Sequence, residues 1–219
     1  MFETAADQAD GLRRMFAPRE PALIPIACCA PAEDCRRYAG LLLGLLRGAG
    51  SMPILFDRLD LSQELGQVQA HAPVDRVVLL DEPVRLARWL SRRHPAMLLF
   101  LSHERDALPP NYATIKSIVT GHGVRQFVTV FVDAPTPEHG ADAHYRLASC
   151  ARRFLDVEMD LLPGAARLSE ALGRGPGREG AAQALGEAAL TRLNRFGIAI
   201  DGGSSTDPLV PAEAGGRAH

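Results

Sequence analysis

The residues that could do chemistry cluster behind three apolar runs. Ala22–Ala27 is followed by Cys28, Cys29, Ala30, Pro31, Ala32, Glu33, Asp34 and Cys35; PILFD ends on Asp57, with Asp60 three residues on; RVVLLD ends on Asp81. Carboxylates at such positions suit a magnesium–phosphate site, in which one or two protein carboxylates hold the ion and phosphate oxygens complete its shell. The phosphates in turn need a cradle: glycines for close backbone approach, a lysine, and a Ser or Thr for the metal. Between Cys28 and Cys35 there is no Gly, no Lys and no hydroxyl, and two carboxylates have been added. Lys116 is the chain's one lysine, and it falls in a later helix, near the solvated end. Neither ATP nor magnesium is therefore expected, and Asp57, Asp60 and Asp81 read as polar residues of strand-end loops.

The other reactive types are more scattered. His103 and Glu104 follow an apolar run and could form an acid–base pair, but no nucleophile or metal pattern accompanies them, so they read as a solvated loop. His71, His94, His122, His139 and His144 lack metal-ligand spacing. The four cysteines, Cys28, Cys29, Cys35 and Cys150, contain no C-x-x-C pair and read as reduced, partly buried thiols. Ser204 and Ser205 follow two glycines, but no strand leads into them, so they form no nucleophile elbow.

The elements that would position these residues alternate along the chain. Apolar runs at Leu23–Cys28, Pro53–Asp57, Arg76–Asp81, Met97–Ser102, Gln126–Asp133 and Val157–Leu162 predict strands. Helical spacing predicts helices over Asp34–Arg47, Val84–Arg93, Pro110–Thr120 and Gly140–Phe154, with two more between Ala165 and Phe196, broken at Gly173–Gly177. Leu61–His71 reads as a weak helix or loop. Continuously apolar strands separated by helices indicate a mainly parallel sheet covered on both faces, a doubly wound α/β fold. Ligands in such folds sit beyond the carboxyl ends of the strands.

Three segments follow: residues 1–21 as a short helix and proline-containing linker, 22–198 as the α/β domain, and 199–219 as a Gly-, Ser-, Pro- and Ala-rich tail read as disordered. With 219 residues, 47% hydrophobic and 23% charged, the chain suits one ordinary domain, and a formal net charge of −2 gives no reason to expect nucleic acid as a direct partner. There is no uncharged apolar stretch of 18 residues. The first 16 residues lack the apolar centre of a secretory signal, and the expected location is the cytoplasm.

Two segments carry a family resemblance. Asp7-Gln8-Ala9-Asp10-Gly11-Leu12-Arg13 resembles the N-terminal DQAxxLR motif of the flagellar-number regulators FlhG and FleN, MinD/ParA-like ATPases in which that motif precedes a linker and then the strand of the phosphate loop. Leu101–Asp156, including the segment Asn111-Tyr112-Ala113-Thr114-Ile115-Lys116 in the helix after the strand and the stretch RLASCARRFLD, resembles a later part of the same family. The similarity covers most of residues 6–190, with a piece missing between Asp60 and Val74. It departs from the family where chemistry would lie. GKGGVGKT is replaced by Cys28–Cys35, DAD is echoed only by Asp57 and Asp60, and DTGAG has become Asp81-Glu82-Pro83-Val84-Arg85.

What the resemblance implies is a non-catalytic member, with a MinD/ParA-like fold and a degenerate nucleotide site at Cys28, Cys29, Ala30, Glu33, Asp34, Cys35, Asp57 and Asp81. Its N-terminal helix would dock on FlhF, a signal-recognition-type GTPase, and stimulate GTP hydrolysis through Asp7, Gln8, Ala9, Leu12, Arg13, Arg14 and Phe16. The α/β body would serve as a platform for other flagellar or transcriptional regulators. It would reach the cell pole or membrane only through partners, because no basic membrane helix ends the chain. Two alternatives stand beside this: an ATP-binding enzyme whose phosphate site is rebuilt from Arg36 and Arg37, and an accessory factor of another secretion or polysaccharide system with no use for the N-terminal motif. On the first reading Cys28–Cys35 tolerates substitution and Gln8 does not.

Overall fold

A computed structural model of the chain describes residues 20–58, 74–90, 96–173, 178–195 and 200–202. Its strands are β1 (Glu20–Cys28), β2 (Pro53–Asp57), β3 (Arg76–Asp81), β4 (Ala96–Leu101), β5 (Gln126–Phe131), β6 (Glu158–Leu161) and β7 (Ile200–Gly202). Its helices are α1 (Ala32–Gly48), α2 (Pro83–Leu90), α3 (Leu108–His122), α4 (Pro137–Leu155), α5 (Ala165–Leu172) and α6 (Arg178–Arg195). The strands lie in the order β2-β3-β1-β4-β5-β6, and every neighbouring pair in that path is parallel. This is the doubly wound α/β arrangement that the strand and helix pattern predicts.

Period-two alternation splits the strand side chains between two apolar layers. Ile24, Ile26, Val78, Leu80, Leu98, Phe100, Val128 and Val130 pack with α1, α5 and α6. Leu79, Met97, Leu99, Leu101, Phe127 and Phe131 pack with α2, α3 and α4 on the opposite face. Both faces are apolar, so the strands read as unbroken hydrophobic runs. Thr129 interrupts one of them and is fully buried. Its hydroxyl donates to the Asp160 carbonyl at 3.0 Å and lies 2.9 Å from His144 Nδ1, so the imidazole must carry its proton on Nδ1 to complete the pair. Burial pushes the His144 pKa down, keeping the ring neutral at pH 7.

Two features differ from the sequence reading. β1 begins at Glu20, so Glu20 and Pro21 belong to the sheet rather than to a linker. At the other end, Ile200–Gly202 lies in the stretch read as the boundary of a disordered tail, yet it pairs antiparallel with β1 at Glu20 and Leu23. Residues 203–219 lie outside the described residues.

Tyr38 on α1 ties that helix to β4 and to the turn after β6 within the α1 layer. It is buried edge-on against Phe100, with ring centroids 4.9 Å apart, and its hydroxyl donates to the Pro163 carbonyl at 2.6 Å. Tyr38→Phe should therefore lose about 1–2 kcal/mol in chemical denaturation, because the carbonyl is left without its donor while the packing is kept. An unchanged midpoint would show that water replaces the hydroxyl.

Candidate functional site

The crevice of a doubly wound sheet lies where neighbouring strands send their helices to opposite faces. Here α1, after β1, goes to one face, while α2 and α3, after β3 and β4, go to the other. The carboxyl ends of β1, β3 and β4 therefore define the site to inspect.

The turn after β1 is short. Cys28 is the last residue of the strand, Cys29, Ala30 and Pro31 make the connection, and α1 starts at Ala32. The helix thus starts two residues before the predicted Asp34, and Ala32, Glu33, Asp34 and Cys35 form its first turn. The Cys29 N–H donates to the Phe100 carbonyl at 2.8 Å, which ties the turn to β4. Pro31 at the helix N-cap has neither an N–H nor a side-chain acceptor to offer, and Glu33 and Asp34 occupy the positive end of the helix. A phosphate there would meet carboxylates where the helix dipole alone would have welcomed it. Arg37 Nη2 is held by Asp34 Oδ1 at 2.9 Å.

Cys35 corrects the expectation that this stretch tolerates substitution. It is fully buried and belongs to the core layer with Tyr38, Ala39 and Phe100, while Cys28 packs against the same layer. Helical position explains this: Cys35, Tyr38, Leu42 and Leu45 fall on one face of α1.

Asp57 and Asp81 are also placed otherwise than read. Both close their strands and are nearly inaccessible, at 8% and 1% exposure, rather than lying in solvated loops. Arg36 Nε donates to Asp57 Oδ2 at 2.5 Å. The Asp81 carboxylate accepts the Glu82 N–H at 2.8 Å and lies 3.5 Å from Arg85 Nη1 and 3.8 Å from Arg58 Nη1. Buried carboxylates require such partners. Guanidinium groups therefore stand against the carboxylates that would face a magnesium ion. Asp60 lies outside the described residues.

A second cluster joins the ends of β4 and β5, where His103 meets Ser102 and Asp133. Asp133 accepts the Ser102 hydroxyl, the His103 N–H at 2.8 Å and the His103 ring, whose Nδ1 lies 2.9 Å away. Asn111 on α3 donates from Nδ2 to the Ser102 carbonyl at 3.0 Å, and the His139 ring stands edge-on to His103 with centroids 6.1 Å apart. Burial raises the Asp133 pKa, but these three donors outweigh it and hold the carboxyl below its ordinary value. Glu104, read with His103 as part of a solvated loop, is exposed, and its N–H points to Ser102 Oγ at 3.4 Å. Ser102, His103 and Asp133 have the side chains of a hydrolytic triad without its order. The serine donates to the aspartate instead of the imidazole, so the histidine does not activate it. The arrangement braces the β4–α3 loop against β5. Its sequence signal was an Asp closing one strand and a Ser-His closing its neighbour.

Other residues do not converge. Lys116 is exposed on α3, and His122 lies in the last turn of that helix. Among the described residues no three His, Cys, Asp or Glu side chains gather as a metal site. A cavity of about 600 Å³ opens beyond β5 and β6, with Phe131, Ala134, Gly140, Leu162, Arg167 and Arg192 among its lining; it includes no residue of either cluster, though Ala134 and Gly140 are sequence neighbours of Asp133 and His139. Asp7, Gln8, Ala9, Leu12, Arg13, Arg14 and Phe16 lie outside the described residues.

No protein-family profile matches the chain, and no curated protein matches it at a significant level. Among the described residues no helix is long and apolar enough to cross a membrane.

Proposed function

We propose that this protein is a non-catalytic regulator of flagellar number and placement, built on a MinD/ParA-like α/β body whose nucleotide site has been lost, and that it stimulates an FlhF-like GTPase through its N-terminal arm. The observation that carries the reading is the filled crevice: Arg36 on Asp57, Arg58 and Arg85 beside Asp81, and Glu33 and Asp34 at the head of α1. ATP and magnesium do not fit these residues, and no step is routed through them. The same contacts disfavour the enzyme reading, since Arg36 and Arg37, the cations that a rebuilt phosphate site would need, are engaged by Asp57 and Asp34.

With the body taken as a platform, activity rests on the arm. The DQAxxLR-like sequence places Gln8 where it can orient groups at the partner's nucleotide site, as glutamines position the attacking water in other GTPases. Leu12 and Phe16 anchor the arm in an apolar groove, Arg13 and Arg14 lie at its rim, and Asp7 and Ala9 complete the motif. The protein works in the cytoplasm and reaches the pole or membrane through partners.

The test is GTP turnover of a purified FlhF-like GTPase with the full-length chain. The wild-type chain should accelerate turnover, and Gln8→Ala should abolish the acceleration. No acceleration, or acceleration unaffected by Gln8→Ala, removes this function. Full function after deletion of residues 1–16 would point instead to an accessory factor of another secretion or polysaccharide system.

A further inference from the structure

The cavity beyond β5 and β6 has a wall of its own composition. Its volume of about 600 Å³ falls in the range of small-molecule sites. The ends of β5 and β6, the start of α4, the first turn of α5 and one side of α6 enclose it. On α6 the lining residues are Ala181, Ala184, Leu185, Ala188, Ala189 and Arg192, which recur at three- and four-residue spacing and so share one side of the helix. Leu185 and Ala189 also reach the α1 layer, while Ala181, Ala184 and Ala188 are exposed. Alanines there keep the space open, because a longer side chain at any of the three would enter it.

Polar groups in this wall are few and of one sign. Among the described residues only Thr136, Arg167 and Arg192 bring polar side chains to it, and no carboxylate does. Acidic residues outnumber basic ones in the chain, 26 to 24, so a carboxylate was available to such a wall. Elsewhere in the fold arginines stand against carboxylates: Arg36 on Asp57, Arg85 beside Asp81, Arg146 on Asp142. Neither Arg167 nor Arg192 has a carboxylate partner among the described residues. Arg192 donates from Nη1 to the Leu161 carbonyl, which holds the guanidinium beside the cavity and leaves its other N–H groups to spare.

We infer that this cavity is a binding site for a small anionic amphiphile, an apolar chain or ring carrying one carboxylate or phosphate head. The apolar body lies against Phe131, Leu162 and the α6 alanines, and the head is met by Arg167 and Arg192. Guanidinium groups suit such a head because two parallel N–H donors match two of its oxygens. The body gains from leaving water in proportion to the apolar area it buries. Neither half suffices alone: an inorganic anion gains no burial, and a neutral amphiphile leaves both arginines to water. The site belongs to the α/β body and holds whatever the N-terminal arm does.

The experiment titrates the folded full-length chain with anilinonaphthalene sulfonate, a fluorescent anionic amphiphile, and then displaces it. Saturable binding of a single probe per chain is expected. Octanoate and octyl phosphate should displace the probe, whereas octanol and inorganic phosphate at the same concentrations should not. Rising salt should weaken binding, because the two arginines are exposed and screened. Arg167→Gln should weaken it roughly fivefold, the size of a charged pair at an exposed site, while Lys116→Gln on α3 removes the same charge elsewhere and should change nothing. Ala184→Phe should fill the cavity and abolish binding. Circular dichroism of each variant separates loss of the fold from loss of the site, and Ala188→Leu takes the place of Ala184→Phe if that variant does not fold. No saturable binding, displacement by octanol as readily as by octanoate, or binding indifferent to both Arg167→Gln and Ala184→Phe would overturn the inference. Displacement by ATP would overturn it as well, by making the cavity a nucleotide pocket.

Discussion

Replacing Gly186 by alanine is expected to lower the thermal midpoint by roughly 4–8 °C, a loss of about 2 kcal/mol for a chain of this size. In isolation the change would favour the helix by about 1 kcal/mol. Packing reverses the sign. A Cβ on Gly186 would lie 2.5 Å from the Leu45 carbonyl oxygen and 3.0 Å from the Ala49 Cβ, so α6 would have to move away from α1. The obstacle is helix backbone, which cannot turn aside as a flexible side chain can. Gly40, on the exposed face of α1 with nothing within 4 Å of its Cβ position, is the control. Gly40→Ala should raise the midpoint. A rise in both variants would mean that α1 and α6 do not approach as closely as described.

Asp133→Ala is expected to cost about 2–4 kcal/mol in chemical denaturation, since three donors to one carboxylate lose their acceptor together. The pH dependence follows from the direction of its pKa. The folded carboxyl titrates below the ordinary value, so its contribution is complete above the unfolded pKa of about 3.9 and is lost as pH falls through the folded pKa. Wild type should therefore lose more stability than Asp133→Ala between pH 6 and pH 3 (roughly the range bracketing that titration). Parallel acid curves would show that the carboxylate does not hold the loop.

Much of the fold was legible because the strands are apolar on both faces. Five of the six parallel strands were recognisable from apolar runs rich in Val, Leu, Ile or Phe, β6 (Glu-Met-Asp-Leu) only from its place within Val157–Leu162, and the break between α5 and α6 from glycines. β7 was not. Three residues, Ile200-Asp201-Gly202, beside Ser and Pro, have no periodicity to read, and only pairing with β1 makes them a strand. Nor did the glycines inside helices announce themselves. Gly186 reads locally as a weakness and is in fact the point of closest approach between two helices.

The candidate site was legible in its omissions and opaque in its contents. Missing glycines, lysine and hydroxyl could be read off Cys28–Cys35 directly. That Arg36 would reach Asp57, 21 residues away, depended on how α1 sits over β2. Asp133 and the Ser102-His103 pair, separated by 30 residues or so along the chain, meet only because β4 and β5 are parallel neighbours. The tolerance expected across Cys28–Cys35 does not extend to Cys35, because it is the first buried position of α1.

The most direct measurement is isothermal titration of the full-length chain with ATP in the presence of magnesium. A crevice occupied by arginine–aspartate pairs and headed by two carboxylates should give no heat beyond dilution. Saturable binding that depends on magnesium would contradict the lost nucleotide site and return the enzyme reading to first place.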